Sequence, residues 1–167
     1  GYPDARFMKL IAELKPDQVT LVPDPPEVLT SNTGWDTVKN KGFLSEIIQE
    51  LRLSGARISV FCNPEISMVE GAAKIEANRI ELYTGPYAQD FVQNPVQALR
   101  SFVEAADVAK KMALGVNAGH DLDLQNLKYL KKGIPYLAEV SIGHALFCDA
   151  LYYGIENTIQ MYKRQLQ

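Results

Sequence analysis

Both histidines of this 167-residue chain follow short apolar segments that have the composition of β-strands. His120 comes after the strand predicted at Leu114–Asn117, and His144 after the strand predicted at Leu137–Ile142. Histidine titrates near neutral pH, with a reference pKa of about 6.5, so it suits general acid–base catalysis. A histidine in this position can equally cap a turn or bond to a carbonyl group, so the pattern leaves a structural role open.

Glu81 is the third candidate, because it lies between Ile80 and Leu82 in an apolar segment. Alternation along a strand sends those two neighbours to one face and Glu81 to the other. A buried carboxylate is costly unless it is paired or has a function. Either Glu81 forms a salt bridge with a Lys or Arg on a neighbouring strand, or it is an acid, base or electrostatic stabiliser with a tuned pKa.

The segment Ser141-Ile142-Gly143-His144-Ala145 joins a predicted strand to a predicted helix. Glycine allows close approach of backbone N–H groups to a ligand, and a helix N-terminus attracts anions, so a phosphate site is one interpretation. A simple tight turn is the other. Two histidines and Glu81 are also metal-ligand types, but they lie on separate strands without a local ligand motif, which disfavours a metal site.

These candidates must be positioned by the elements around them, and strand and helix patterns alternate five times after an opening helix at Asp4–Lys15. The predicted elements include a strand at Arg79–Tyr83 followed by a turn at Thr84-Gly85-Pro86, a helix that begins at Pro95, and a helical C-terminal segment with a break near Gly154. The alternation of strands and helices predicts an α/β fold with parallel strands. In such folds functional residues gather at the carboxyl ends of the strands. Besides the residues above, that rule selects Pro23, Thr30, Ser31, Asn32, Asn63, Asn117 and Gly119.

Two architectures fit the pattern, and both treat residues 1–167 as a single domain. A five-stranded doubly wound sheet suits the length, whereas a (β/α)₈ barrel needs about 250 residues. Length therefore favours the open sheet. The opening helix favours the barrel, because it resembles the end of a preceding strand–helix unit.

Composition narrows the function classes. The net charge of −3 and the pI near 5.4 do not suggest general nucleic-acid binding. No apolar run approaches the roughly 20 residues of a membrane span. Cys62 and Cys148 lie in apolar contexts and are predicted to be reduced core thiols of a cytoplasmic protein. Trp35, in a polar loop, is a candidate for a lid or an oligomer contact.

Four runs resemble the pyridoxine 5′-phosphate synthase family: LVPDPPEVLTSNTGWD from Leu21, IELYTGPYA from Ile80, VNAGHDL from Val116 and IGHAL from Ile142. Their order and spacing fit that family over nearly the whole chain, and VNAGH followed by IGHA is the most specific combination. The family is a (β/α)₈ TIM barrel, so the resemblance reverses the preference based on length and implies an incomplete barrel with about five of eight strands.

The resemblance implies condensation of 1-deoxy-D-xylulose 5-phosphate with 3-amino-2-oxopropyl phosphate to pyridoxine 5′-phosphate, phosphate and water, in vitamin B6 biosynthesis. It implies no metal or organic cofactor and a homo-octamer. His120 matches the family's proton donor and Glu81 its transition-state stabiliser. Thr30 matches a contact to the deoxyxylulose phosphate. Gly143 and His144 match the aminoketone phosphate site, as does Asp121, where the family often has Gly.

The resemblance also implies that three strands should precede residue 1. These carry the family's Asn-x-Asp-His and His-x-Arg segments and a Glu proton acceptor. We therefore expect the 167-residue chain to be inactive alone and to be part of a longer natural protein. Two alternatives remain at this stage: a non-catalytic phosphate-binding assembly module, and a different phosphate-binding barrel enzyme.

Overall fold

A computed structural model describes all 167 residues and contains eight helices and five strands. Helices and strands alternate along most of the chain, as the sequence pattern predicts. The helices are α1 (Ala5–Leu14), α2 (Lys41–Arg52), α3 (Ile66–Lys74), α4 (Gly85–Phe91), α5 (Pro95–Lys111), α6 (Leu127–Gly133), α7 (His144–Tyr153) and α8 (Ile155–Gln165). The strands are β1 (Gln18–Leu21), β2 (Arg57–Cys62), β3 (Arg79–Tyr83), β4 (Gly115–Gly119) and β5 (Glu139–Ser141).

The five strands form one parallel sheet in the order β1-β2-β3-β4-β5. A doubly wound sheet reverses its strand order at a switch point, whereas a barrel adds each strand beside the preceding one. The expectation based on length, a doubly wound sheet, is therefore wrong. The sheet curls into a half-barrel. The curl is seen in the first and last strands, where Gln18 on β1 and Glu139 on β5 meet across the concave face with an Nε2–Oε2 distance of 3.0 Å.

The convex face of the sheet carries the hydrophobic core. Val19, Ile58, Val60, Ile80 and Val116 are almost fully buried there and belong to one cluster with the apolar faces of the helices. β-branched residues suit such a surface because they pack well on a pleated sheet. This core holds the strands in register, so that their carboxyl ends open at one rim.

The concave face is polar at its floor. Arg57 forms an ion pair with Glu139 at 2.6 Å, and Arg79 donates to Asn117 at 2.9 Å. Asn117 in turn donates to Glu139 at 3.1 Å, and Gln18 accepts from Arg57 at 2.8 Å. These five side chains come from all five strands. Their network closes the interior below Glu81.

Most predicted elements are confirmed to within a few residues, and the break near Gly154 between the last two helices is present. The segment predicted as a turn at Thr84-Gly85-Pro86 instead opens helix α4. Helix α4 exists because the buried Tyr87 packs against Phe102, with ring centroids 5.6 Å apart, and donates to the carbonyl of Asn126 at 2.7 Å.

The exposure of Cys148 and the burial of Trp35 correct two further predictions. Cys62 is buried as expected, but Cys148 is exposed, because α7 buries none of its residues in this structure. Trp35, considered for a lid or an oligomer contact, is buried between the rings of Tyr2 and Phe43. None of the helices is both long and apolar enough to span a membrane.

Candidate functional site

A cavity of about 590 Å³ opens at the carboxyl ends of the strands. Its wall includes all six predicted site residues, which come from the loop after β1, from β3 and from the segments after β4 and β5. The lining residues are Val22, Thr30, Ser31, Phe61, Glu81, His120, Asp121, Ser141, Ile142, Gly143 and His144. Residues as far apart in the chain as Val22 and His144 are thus brought together, as expected for the mouth of a parallel barrel.

Other strand-end candidates lie elsewhere. Asn63 accepts from the backbone N–H of Gly34 at 2.9 Å and orders the loop after β1. Asn117 belongs to the polar floor, and neither Pro23 nor Asn32 lines the cavity. A second cavity of about 370 Å³ between α1 and the same loop shares Thr30 and Ser31, but neither histidine nor Glu81 reaches it.

Glu81 lies at the base of the site and is 8% exposed. Its carboxylate accepts a hydrogen bond from Thr20 on β1 at 3.3 Å and makes no ion pair. The salt-bridge alternative is therefore wrong, since Arg57 and Arg79 pair with Glu139 instead. Burial raises the pKa of Glu81 above its usual value, and the hydroxyls of Ser141 and Thr20 offset part of that rise.

Close packing fixes where this carboxylate can lie. Gly119 on β4 is adjacent to it, and a Cβ at that position would stand 2.3 Å from Glu81 Oε1. A side chain at position 119 would therefore displace this carboxylate, although the backbone conformation there does not itself call for glycine. The carboxylate is thus confined between β1, β4 and β5.

His120 is held by contacts on both sides of its ring. Its Nε2 lies 2.8 Å from Thr30 Oγ1, and the ring meets the Tyr83 ring edge-on at 5.2 Å between centroids. Nδ1 is buried and lies 3.0 Å from Asp121 Oδ2. That contact lacks hydrogen-bond geometry, so Nδ1 has no hydrogen-bond partner.

The backbone of this turn is unusual. His120 has φ +92° and Asp121 has φ +56°, both in the region that residues other than glycine rarely adopt. Thr84, which is fully buried, binds this turn: its N–H donates to the carbonyl of Gly119 at 2.9 Å and its hydroxyl to that of His120. Asn126 donates to the carbonyl of Asp121 at 3.1 Å.

The turn after β5 ends at the N-terminus of α7. Gly143 is the N-cap residue and makes no side-chain capping bond, so the first N–H groups of α7 keep capacity for a ligand. The added Cβ of an alanine at Gly143 would meet nothing within 4 Å, so this edge of the cavity is open. His144 begins the helix beside it. An anion is the ligand that such a helix end favours.

Phe61, Thr84 and Asn126 were not selected from the sequence, and Ser141 was named only as part of the segment Ser141–Ala145, without a role of its own. Alternation within the predicted fifth strand could have placed Ser141 on the same face as Glu139. Thr84 precedes Gly-Pro, a pattern typical of a helix start. Nothing in the sequence indicates that its hydroxyl binds a turn 36 residues away. No group of three or more His, Cys, Asp or Glu side chains is arranged to hold a metal ion.

Comparison with known proteins agrees with this geometry. The family model described as pyridoxal phosphate biosynthesis protein PdxJ matches residues 1–167. The chain belongs to the PdxJ family. The resemblance inferred from the four sequence runs is confirmed, as is the incomplete TIM barrel that it implied.

Several relatives of this PdxJ chain are named pyridoxine 5′-phosphate synthase. The protein from Cytophaga hutchinsonii is 59% identical over 167 residues, which are 100% of this chain and 70% of the relative. Those from Bacteroides fragilis and Christiangramia forsetii are 54% and 49% identical over the same shares. Family membership assigns the chain to pyridoxal phosphate (vitamin B6) biosynthesis.

The conformation of Asp121 bears on the Gly that the family resemblance implied for this position. A φ of +56° is readily adopted by glycine, and Asp is among the few other types that tolerate it. Asp121 therefore preserves the turn while adding a carboxylate beside His120.

Proposed function

We propose that this chain forms one side of the active site of a pyridoxine 5′-phosphate synthase. The reaction condenses 1-deoxy-D-xylulose 5-phosphate with 3-amino-2-oxopropyl phosphate, giving pyridoxine 5′-phosphate, phosphate and water. The observation that carries the proposal is the convergence of Thr30, Glu81, His120, Asp121 and the Gly143-His144 turn on one cavity. The names of the relatives point to the same product.

The proposed roles follow from position and chemistry. Ring closure joins an amine to a ketone and then removes waters and a phosphate, so each step needs proton transfer. His120 is the proton donor, because its ring faces the cavity with Nε2 beside Thr30. Glu81 stabilises the positive charge that develops on the nitrogen supplied by the amine and on the carbon bonded to it. Its confined carboxylate needs little reorganisation to do so.

The phosphate groups determine the remaining assignments. No Lys or Arg lines the cavity, so an anion there is bound by backbone N–H groups and imidazole. We assign the aminoketone phosphate to the N-terminus of α7, with Asp121, Gly143 and His144 around it. Thr30 contacts the deoxyxylulose phosphate.

The residues described here supply only part of this machinery. They correspond to 70% of the length of the relatives, and the family's further proton acceptor belongs to its first three strands. We propose that the 167-residue chain alone does not turn over, and that the natural protein self-associates. Exposed apolar side chains on α7, including Phe147, Leu151 and Tyr152, are compatible with such contacts. Light scattering on the full-length protein measures its assembly state.

The test uses the full-length protein with both substrates and follows pyridoxine 5′-phosphate and released phosphate. His120→Asn is expected to lower kcat by about 10²-fold or more, as loss of a general acid does. His144→Asn is expected mainly to raise the KM for the aminoketone phosphate. Circular dichroism confirms that both variants fold.

Three results would contradict the proposal. Turnover of a sugar phosphate without the aminoketone would indicate a different barrel enzyme. Phosphate binding by calorimetry without any turnover would indicate a binding module. Unchanged kcat in His120→Asn would remove the proposed proton donor.

A further inference from the structure

We propose that Thr84 and Asn126 are positioning residues that hold the His120 ring in its reactive place by binding the carbonyl groups of the turn behind it. This inference rests on the proposed function for its catalytic consequence only. The positioning itself is a property of the turn and can be measured without activity.

Three consecutive carbonyl groups, beginning with that of the last residue of β4, each accept a hydrogen bond from one of these residues. The Gly119 carbonyl accepts from the Thr84 N–H at 2.9 Å, and the His120 carbonyl accepts from the Thr84 hydroxyl. The Asp121 carbonyl accepts from Asn126 Nδ2 at 3.1 Å. The turn is therefore bound from two sides, by the β3–α4 junction and by the start of α6.

The turn needs such binding because its conformation is unfavourable. His120 and Asp121 are consecutive residues with positive φ, and both carry side chains. Backbones of this kind persist only where surrounding structure over-determines them. The backbone of this turn sets the direction of the His120 Cα–Cβ bond, from which the ring extends, so a peptide rotation would move the ring away from Thr30.

Both positioning residues are themselves firmly held. Thr84 is fully buried, and its hydroxyl donates to the His120 carbonyl and does not cap α4. Asn126 is 4% exposed and accepts from the Asp123 N–H at 3.0 Å. Tyr87 in α4 donates to the Asn126 carbonyl at 2.7 Å. The unpredicted helix α4 thus supports both points of attachment.

The hydrogen bonds to the turn also explain how the His120 ring can be held in place although only one of its nitrogens has a hydrogen-bond partner. Nδ1 of His120 has no hydrogen-bond partner, and Nε2 has only the exposed Thr30 hydroxyl. The ring therefore has one hydrogen bond of its own, beside the edge-on contact with Tyr83 and the close approach of Asp121. The backbone hydrogen bonds behind it carry the positioning.

The test compares Thr84→Val, which keeps the shape and removes the hydroxyl, with Thr84→Ser, which keeps the hydroxyl. The matched control is Thr158→Val. Thr158 is also fully buried and donates its hydroxyl to a backbone carbonyl, that of Gly154 at 2.9 Å, but it lies outside the site. Any general cost of losing a buried hydroxyl appears equally in this control.

Two readouts are measured on the full-length protein. The first is kcat and KM, for which Thr84→Val is expected to lower kcat about tenfold or more with KM within about threefold. The second is the rate at which diethyl pyrocarbonate modifies His120, followed by peptide mass spectrometry with His144 as internal reference. Thr84→Val is expected to increase modification of His120 several-fold and to leave His144 unchanged.

Thr84→Ser is expected to restore both values, and Thr158→Val to match the parent protein. If Thr84→Val fails to fold, Asn126→Asp is the second variant, because it keeps the acceptor for Asp123 and removes the donor to Asp121. Equal effects of Thr84→Val and Thr158→Val in both readouts would overturn the inference, as would an unchanged rate of His120 modification in Thr84→Val. Faster modification with unchanged kcat would instead count against the proposed role of His120 as proton donor. An inactive parent protein would defeat the proposed function, while the modification rates would still decide the positioning.

Discussion

The packing of Gly119 against Glu81 provides the sharpest test of how the site is built. In Gly119→Ala the new Cβ would stand 2.3 Å from Glu81 Oε1, 3.1 Å from Ser141 Cβ and 3.3 Å from Glu81 Cδ. Ordinary contact begins near 3.4 Å, so the carboxylate oxygen must move by about 1.1 Å. The new methyl group thus displaces the carboxylate in particular.

The expected cost is large for activity and small for stability. A displacement of about 1 Å in a catalytic group can lower the rate about 10²-fold. The atom that must move is the end of a flexible side chain, and alanine restricts the unfolded chain by about 0.4–1 kcal/mol in favour of folding. We therefore expect kcat to fall by about 10² while the free energy of unfolding changes by no more than about 1 kcal/mol.

The assay is steady-state formation of pyridoxine 5′-phosphate by the full-length protein, with urea unfolding in parallel. Gly42→Ala is the matched control, because a Cβ there meets nothing within 4 Å. Combining Gly119→Ala with Glu81→Asp, which retracts the carboxylate by one methylene, should give a non-additive effect on kcat. Parental kcat in Gly119→Ala at unchanged stability would refute the claim that the confined position of Glu81 matters.

Two further predictions concern charge inside the half-barrel. Burial raises the pKa of Glu81, so the folded state keeps the proton on this carboxyl group to a higher pH than the unfolded chain does. The protonated carboxyl group therefore contributes to stability below the ordinary pKa of 4.5, and this contribution is lost as the pH rises through the raised pKa. Glu81→Gln should therefore gain stability relative to the parent protein as the pH rises above 4.5 in urea unfolding, and a constant difference would argue against a buried carboxylate. Glu139→Ala leaves Arg57 and Arg79 without their shared partner, and we expect it to cost about 1 kcal/mol because the pair is partly exposed. Glu104→Ala, which breaks the exposed pair with Arg100, should cost close to nothing in the same experiment, and equal costs would contradict the role of the floor network.

The elements that were predicted well are those whose signal is local. Strand Arg79–Tyr83 has the predicted bounds, and α5 begins at Pro95 as expected. Proline at the first helical turn and apolar residues at helical spacing are properties of a short window of sequence. The position of Glu81 on the concave face follows from the two-residue period of a strand in the same way.

The elements that were predicted wrongly depend on distant partners. Helix α4 has seven residues, and it is stabilised by contacts of Tyr87 with Phe102 and Asn126, which lie 15 and 39 residues further along the chain. The apolar surroundings of Cys148 suggested a core position. The burial of Cys148, however, is decided by what packs against α7, and no part of this chain packs over Cys148.

The sequence by itself determined the residue types of this protein's site, the end of the sheet at which they lie, and, through four short runs, its family. The tertiary structure decided which side chains meet. Thr30 reaches His120 across 90 residues of sequence and Thr84 binds its turn across 36, while Arg57 pairs with Glu139 in place of Glu81. Periodicity and propensity act within a few residues, whereas partners are chosen by strand order, register and the curl of the sheet. Those are settled only when the whole core packs.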